Sequence, residues 1–244
     1  MRKITALLLA SLMIFSLAAC SNNSSNTDSE PTGSTGESTI SSENTTETVE
    51  NQTSVDANET QQIEDEDTGS NILVAYFSRA GENYNVGVIE KGNTAIIAEM
   101  IGAHTGGDLF QIETVNPYPE SYDECTEVAQ QEQRDNARPE LTGTVGNFEN
   151  YDVVFLGYPN WWGDMPMAVY TFLESYDFSG KTIVPFATHE GSGLASTERS
   201  IADTCAGAEV LDGLAIRGSV AQNSQEEAQE EVTNWLREVG FINE

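Results

Sequence analysis

The sequence predicts an α/β domain: a doubly wound, mostly parallel sheet with helices on both faces. Three observations carry this. From residue 71 onward, short apolar runs alternate with stretches of helical spacing, the pattern of strand–helix–strand units. The runs are apolar almost throughout, as strands covered on both faces must be. The loops after the first, third and fourth runs are rich in Gly and small polar residues, as the ligand-binding edge of such a sheet requires.

Each element follows from its residues. ILVAYF (72–77) is a first strand, and TAIIAEMIGAHTGG (94–107) a helix that a Gly pair ends. DLFQIETV (108–115) is a second strand. Residues 116–141 break the rhythm, with a helical middle and loop-like ends. VVFLGY (153–158) is a third strand, followed by a helix in MAVYTFLESY (167–176). TIVPFATH (182–189) is a fourth, in which Pro185 calls for a sheet edge or an irregularity because it lacks an N–H. LASTERSIADTC (194–205) is helical and EVLDGLAIRG (209–218) contains a strand. In SQEEAQEEVTNWLREVG (224–240), Ala228, Val232, Trp235, Leu236 and Val239 form the buried stripe of a last amphipathic helix.

Residues 1–20, MRKITALLLASLMIFSLAAC, have two cations, an apolar stretch and then small residues, the layout of a secretory signal. Leu17-Ala18-Ala19-Cys20 resembles a bacterial lipobox, which marks Cys20 for acylation and the protein for a lipid-anchored, extracytoplasmic place on the cell membrane. Residues 21–70 are rich in Ser, Thr, Asn, Glu and Gly and hold no Lys, Arg or aromatic residue. Such a segment cannot offset its ordering entropy, and a disordered acidic linker spanning roughly 40 Å is expected. Residues 71–244 are then one domain with a sizeable core.

The formal net charge is −30, and in residues 71–244 there are 28 Asp and Glu against 8 Lys and Arg. That sign excludes a nucleic-acid binder, which must match phosphate, and suits a basic protein partner. Two His without His-Glu-x-x-His offer few metal ligands. Cys125 and Cys205 read as separate buried thiols; a disulfide is the alternative outside the cytoplasm and requires backbones that approach.

Three loops carry the chemistry. In SRAGENYNVGVIEKGNT (78–94), Ser78, Asn93 and Thr94 offer hydroxyl and amide groups at a helix N-terminus, which suits a phosphate. Neither Gly-Lys-Ser/Thr nor Gly-x-Gly-x-x-Gly occurs there, so it is not a nucleoside-triphosphate or dinucleotide loop. PNWWGDMP (159–166) sets Trp161 beside Trp162, either to stack on a ligand or to cap the sheet edge, with one ring packing inward while the other meets the ligand. THEGSG (188–193) is again small and Gly-rich. A planar phosphorylated ligand accounts for all three, most simply flavin mononucleotide (FMN).

With YFSRAG and GNT, YPNWWGDMP and THEGSG in this order, the chain resembles the flavodoxin family across about residues 71–240. The resemblance implies a five-stranded sheet in the order 2-1-3-4-5 and a non-covalent FMN. It implies Ser78, Arg79, Asn93 and Thr94 at the phosphate. Pro159, Asn160, Trp161, Trp162 and Gly163 lie on one side of the ring, and Thr188, His189, Glu190, Gly191, Ser192 and Gly193 on the other. Compared with short flavodoxins, residues 82–92 are an insertion, which leaves open whether Ala80, Gly81 or Gly92 keeps its amide on the phosphate.

The expected function is electron transfer by an FMN-binding redox protein at the outer face of the cytoplasmic membrane, with redox proteins or a small acceptor as partners. One alternative is an NAD(P)H-dependent quinone-type reductase, with Tyr118, Tyr122 and residues 116–141 around the space over the ring. Another is a non-catalytic binding lipoprotein. A hydrolase using Ser192 with His189 or His104 lacks the Gly-x-Ser-x-Gly elbow, because Glu190 and Leu194 fill the Gly positions. DTCAGAE (203–209) comes near a flavin-transfer motif, but Glu209 stands where the acceptor hydroxyl is needed.

Overall fold

The computed structural model describes residues 71–243; the signal sequence, Cys20 and the acidic linker lie outside the described residues. Strand β1 (Ile72–Tyr76) leads through a hairpin of β2 (Gly81–Asn83) and β3 (Gly87–Ile89) into helix α1 (Asn93–Thr105). Next come β4 (Asp108–Gln111), α2 (Tyr122–Asp135), β5 (Val153–Pro159), α3 (Met167–Glu174), β6 (Thr182–His189) and α4 (Thr197–Thr204). Two short strands, β7 (Glu209–Val210) and β8 (Leu214–Arg217), precede α5 (Gly218–Asn223) and α6 (Gln225–Glu238).

The sheet runs β4-β1-β5-β6, all parallel, and β7 and β8 share its fifth position. This is the expected order 2-1-3-4-5, with the winding reversing between β1 and β5, where such sheets open a crevice at their carboxyl ends.

Alternate side chains enter opposite faces, as the period of a strand dictates. Leu73, Ala75, Val154, Leu156, Tyr158, Ile183 and Ala187 pack with Phe172 and Leu173 of α3 and Ile201 of α4. Val74, Tyr76, Phe155, Val184 and Phe186 pack with α1 and with Val232, Trp235 and Leu236 of α6. Because both faces are covered, the runs carry no polar alternation.

The structure refines the sequence reading where pairing partners change. Pro185 lies inside β6, between Thr182 and Ile183, which pair with β7, and residues 186–189, which pair with β8. The break between β7 and β8 is the irregularity that tolerates its missing N–H. The second strand stops at Gln111, the last residue opposite β1. Beyond it, the chain turns to residues 140–142, with Val115 N–H donating to the Glu140 carbonyl at 2.8 Å and Thr142 N–H to that of Glu113 at 2.9 Å. The middle of residues 116–141 is helical, as α2. Helix α5 was not expected, because its six residues are too short to show a helical period. The inserted first loop is an antiparallel hairpin, Gly81 opposite Ile89 and Asn83 opposite Gly87.

Candidate functional site

The first loop packs tightly on the start of α1. Gly92 is the N-cap, and a Cβ there would collide with Ser78 Oγ and with the Arg79 backbone. Ser78 Oγ accepts the Ala95 N–H at 3.0 Å. Gly92 has no side chain of its own to cap α1, Ser78 caps the Ala95 N–H from outside, and the first turn has no acidic residue. The helix therefore keeps its partial positive charge for an external anion. Asn93 Oδ1 accepts from Gln222 Nε2 at 2.9 Å. A Cβ at Gly218 would collide with the Asn93 amide, so α5 approaches this corner only through glycine.

Arg79 is turned to backbone carbonyls. Its Nη1 donates to Ala80, Pro119 and Glu120 at 3.0–3.2 Å, and Nη2 to Glu82. Its buried Nε has no partner among the described residues. The guanidinium thus joins the first loop, the hairpin and the segment entering α2. Ala80 is exposed.

The second loop separates its two indoles. Trp161 N–H donates to the Asp164 carbonyl at 2.8 Å and Asp164 N–H returns to Trp161 at 3.1 Å, which puts Trp162 and Gly163 at the corner with φ of 55° and 81°. Trp161 packs inward, edge-on to Phe77 and Tyr118 at centroid distances of 5.4 and 5.2 Å. Trp162 is 55% exposed, and its Nε1 donates to the Thr126 carbonyl of α2 at 3.1 Å. A bulky residue in the left-handed region costs about 1 kcal/mol or more, and such strain gathers at functional sites. Asn160 joins the second loop to the third: its N–H donates to the Thr188 carbonyl and its Nδ2 to the Gly193 carbonyl, both at 2.8 Å.

In the third loop, His189 Nδ1 accepts the Gly191 N–H at 2.8 Å. Burial holds this imidazole below its usual range, with Arg217 acting in the same direction against the Ala215 carbonyl and Glu190. Glu190 is committed to the start of α5, accepting from Ser219 N–H at 2.6 Å and facing Arg217 at 3.8 Å. Gly191 and Ser192 are exposed. Among the described residues no hydrogen bond joins Ser192 to His189. His104 lies near the far end of α1, roughly 16 Å along the axis from Asn93.

These loops enclose a cavity of 130 Å³ lined by Asn93, by Pro159, Asn160 and Trp161, and by Thr188, His189 and Glu190. All three loops meet there, as the sequence reading expected. Three lining residues were not among the expected ligands: Asn83 and Tyr84 of the hairpin, and Tyr122 of α2. Tyr122 had been placed in the space over the ring; a turn-rich ENYN between two glycines was the available signal for the other two. A neighbouring cavity of 180 Å³ shares Asn83, Tyr122, Asn160 and Trp161 and adds Arg79, Trp162 and α2 residues, among them Cys125. Ser78, Arg79 and Ala80 line a separate depression on the β4 side with Tyr118 and Thr142. Gly163, Gly191, Ser192 and Gly193 line none of these spaces.

Cys125 and Cys205 are both free and buried. Burial pushes the Cys125 thiol up and that of Cys205 to about 12, so neither is a thiolate near neutral pH.

The lining suits a phosphorylated planar group: Asn93 at the start of α1 and the rings of Tyr84, Tyr122 and Trp161 share one cavity, with the Glu190 carboxylate held by Ser219 and Arg217 at its margin. Comparison with known proteins agrees. The sequence profile of the flavodoxin family, described as flavodoxin, matches residues 71–239. A candidate flavoprotein from Bacteroides eggerthii DSM 20697 is 31% identical over 70% of this chain and 98% of its own, with a TM-score of 0.56. Another from Bacteroides uniformis ATCC 8492 is 27% identical over 69% of this chain and 99% of its own, also at 0.56. A flavoprotein from Lactobacillus acidophilus NCFM, solved in complex with FMN, is 20% identical over 65% of this chain and 97% of its own, at 0.49. No curated protein sequence matches this chain significantly. On its profile and its strand order, this chain belongs to the flavodoxin family.

Proposed function

We propose that this protein binds FMN where the three loops meet and transfers electrons at the outer face of the cytoplasmic membrane, tethered through a lipidated Cys20. The carrying observation is the convergence of the α1 N-terminus, the Trp161 loop and the Thr188 loop on one cavity at the carboxyl end of the sheet. Family membership supports FMN as the cofactor. Bound there, FMN supplies the redox chemistry, and the protein positions it.

The roles of the residues follow from their contacts. Asn93, at the start of α1, lines the cavity and takes the phosphate at the helix N-terminus, with the buried Thr94 behind it. Trp161 and Tyr122 wall the ring and exclude water. His189, held neutral by burial, brings no cation to the ring. The surplus of acidic residues in this domain disfavours negative charge on the cofactor and steers basic redox proteins to it. The long acidic linker gives the domain reach from the membrane.

A second reading, an FMN-dependent reductase, draws on the 180 Å³ cavity beside the cofactor space, whose indole and tyrosine walls suit a small planar acceptor.

Titration of the full chain with FMN, followed by flavin fluorescence and then by absorbance during anaerobic reduction, tests the proposal. Stoichiometric quenching and reversible bleaching are expected. Steady NAD(P)H oxidation with a quinone selects the reductase reading, and absence of quenching with folded protein selects a binding lipoprotein without cofactor.

A further inference from the structure

We infer that the β2–β3 hairpin is a flap that retains the cofactor, with Tyr84 and Asn85 as the positioning residues at its tip; the inference rests on the flavin reading of the pocket. The hairpin interrupts the loop that leads into α1, so it rises directly beside the anion-binding helix terminus. Asn83 and Tyr84 line the 130 Å³ cavity together with His189 and Glu190 of the third loop.

Its root and its tip are held very differently. At the root, Arg79 binds carbonyls on both sides, and Glu82 N–H donates to the Glu120 carbonyl at 2.9 Å. Glu82 Oε2 also accepts the Tyr122 N–H at 3.0 Å, supplying α2 with the cap that Ser121 does not. At the tip, the exposed side chains of Tyr84 and Asn85 reach other segments. Tyr84 stacks on Tyr122 at 5.8 Å and 29° while 57% exposed. Asn85 Nδ2 reaches across 105 residues of sequence to Glu190 Oε2 at 3.2 Å. Val88 on β3 is 82% exposed, so the outer side of the hairpin leans on little.

Asn85 is exposed, so water can replace its amide on the Glu190 carboxylate when the tip lifts. Glu190 is held by Ser219 whether or not Asn85 is in place, so its carboxylate waits in the closed position. Asn85 has φ of 63°, a conformation that Asn adopts readily and that aims the tip at the third loop. Breaking the Asn85–Glu190 bridge opens the cavity between the first and third loops; re-forming it closes the wall that Tyr84 completes.

The test compares FMN dissociation from the full chain, as fluorescence recovery on dilution, for wild type, Asn85→Gly and Tyr84→Ala. Asn85→Gly keeps the positive φ and deletes the bridge alone. Each variant is expected to release FMN about five- to tenfold faster, with the thermal midpoint of the FMN-free protein unchanged. In the FMN-free chain, the Val86 amide at the tip is expected to exchange faster with solvent than Glu82 at the root. Dissociation rates within about twofold of wild type in both variants, or equal exchange at tip and root, overturn the flap while leaving the flavin reading intact. A folded wild-type chain that takes up no FMN overturns that reading and the flap together.

Discussion

Thr94 and Thr188 share a buried hydroxyl–hydroxyl hydrogen bond of 2.8 Å across 94 residues of sequence. Thr94 is in the first turn of α1 and Thr188 is near the end of β6, so this bond clamps the N-terminus of α1 to the third loop. Replacing one partner strands a buried hydroxyl. Thr94→Val or Thr188→Val alone is expected to cost about 1–2 kcal/mol, and the double variant less than the sum. Urea denaturation of the four proteins measures the coupling.

The two indoles contribute unequally to stability. Trp161 packs on Phe77 and Tyr118, so Trp161→Ala is expected to lose about 3 kcal/mol of stability. Trp162 is exposed and strained, and Trp162→Gly is expected to leave stability unchanged or raise it by up to about 1 kcal/mol. Thermal melts of the FMN-free protein distinguish them.

Arg79 satisfies carbonyls of four residues with one planar group. A lysine ammonium cannot span that set. Arg79→Lys is expected to cost about 2 kcal/mol and to expose the hairpin to limited proteolysis, which peptide mapping reads directly.

His189 has a folded-state value below its usual one, chiefly through burial. The unfolded chain then binds more protons than the folded one as pH falls past the ordinary His range, so stability declines on acidification from about pH 6.5 downward. His189→Gln removes this contribution. Between pH 8 and pH 5.5, thermal midpoints of the wild type should fall further than those of the variant.

The thiols of Cys125 and Cys205 are buried and protonated. Alkylation of the native chain at pH 8 is expected to leave both unlabelled, and alkylation in denaturant to label both, as peptide mass mapping would record.

The strands and their order of appearance were legible in the sequence because a strand buried on both faces has to be apolar along its covered length, as 72–77, 153–158 and 183–187 are. The positions of the loops were legible for a related reason: Gly, Asn and paired Trp are costly inside regular elements and stand out where they occur. Local composition carries no information about partners distant in the chain. That Arg79 faces carbonyls, that Trp161 turns inward while Trp162 stays out, and that Asn85 meets Glu190 depend on contacts between segments far apart in sequence. Residues 81–89 held too few apolar positions to declare a hairpin, and only their docking on α2 gave them a place over the pocket. Short-range patterning thus set which segments became strands and helices, while packing between distant segments decided which side chains face the cavity.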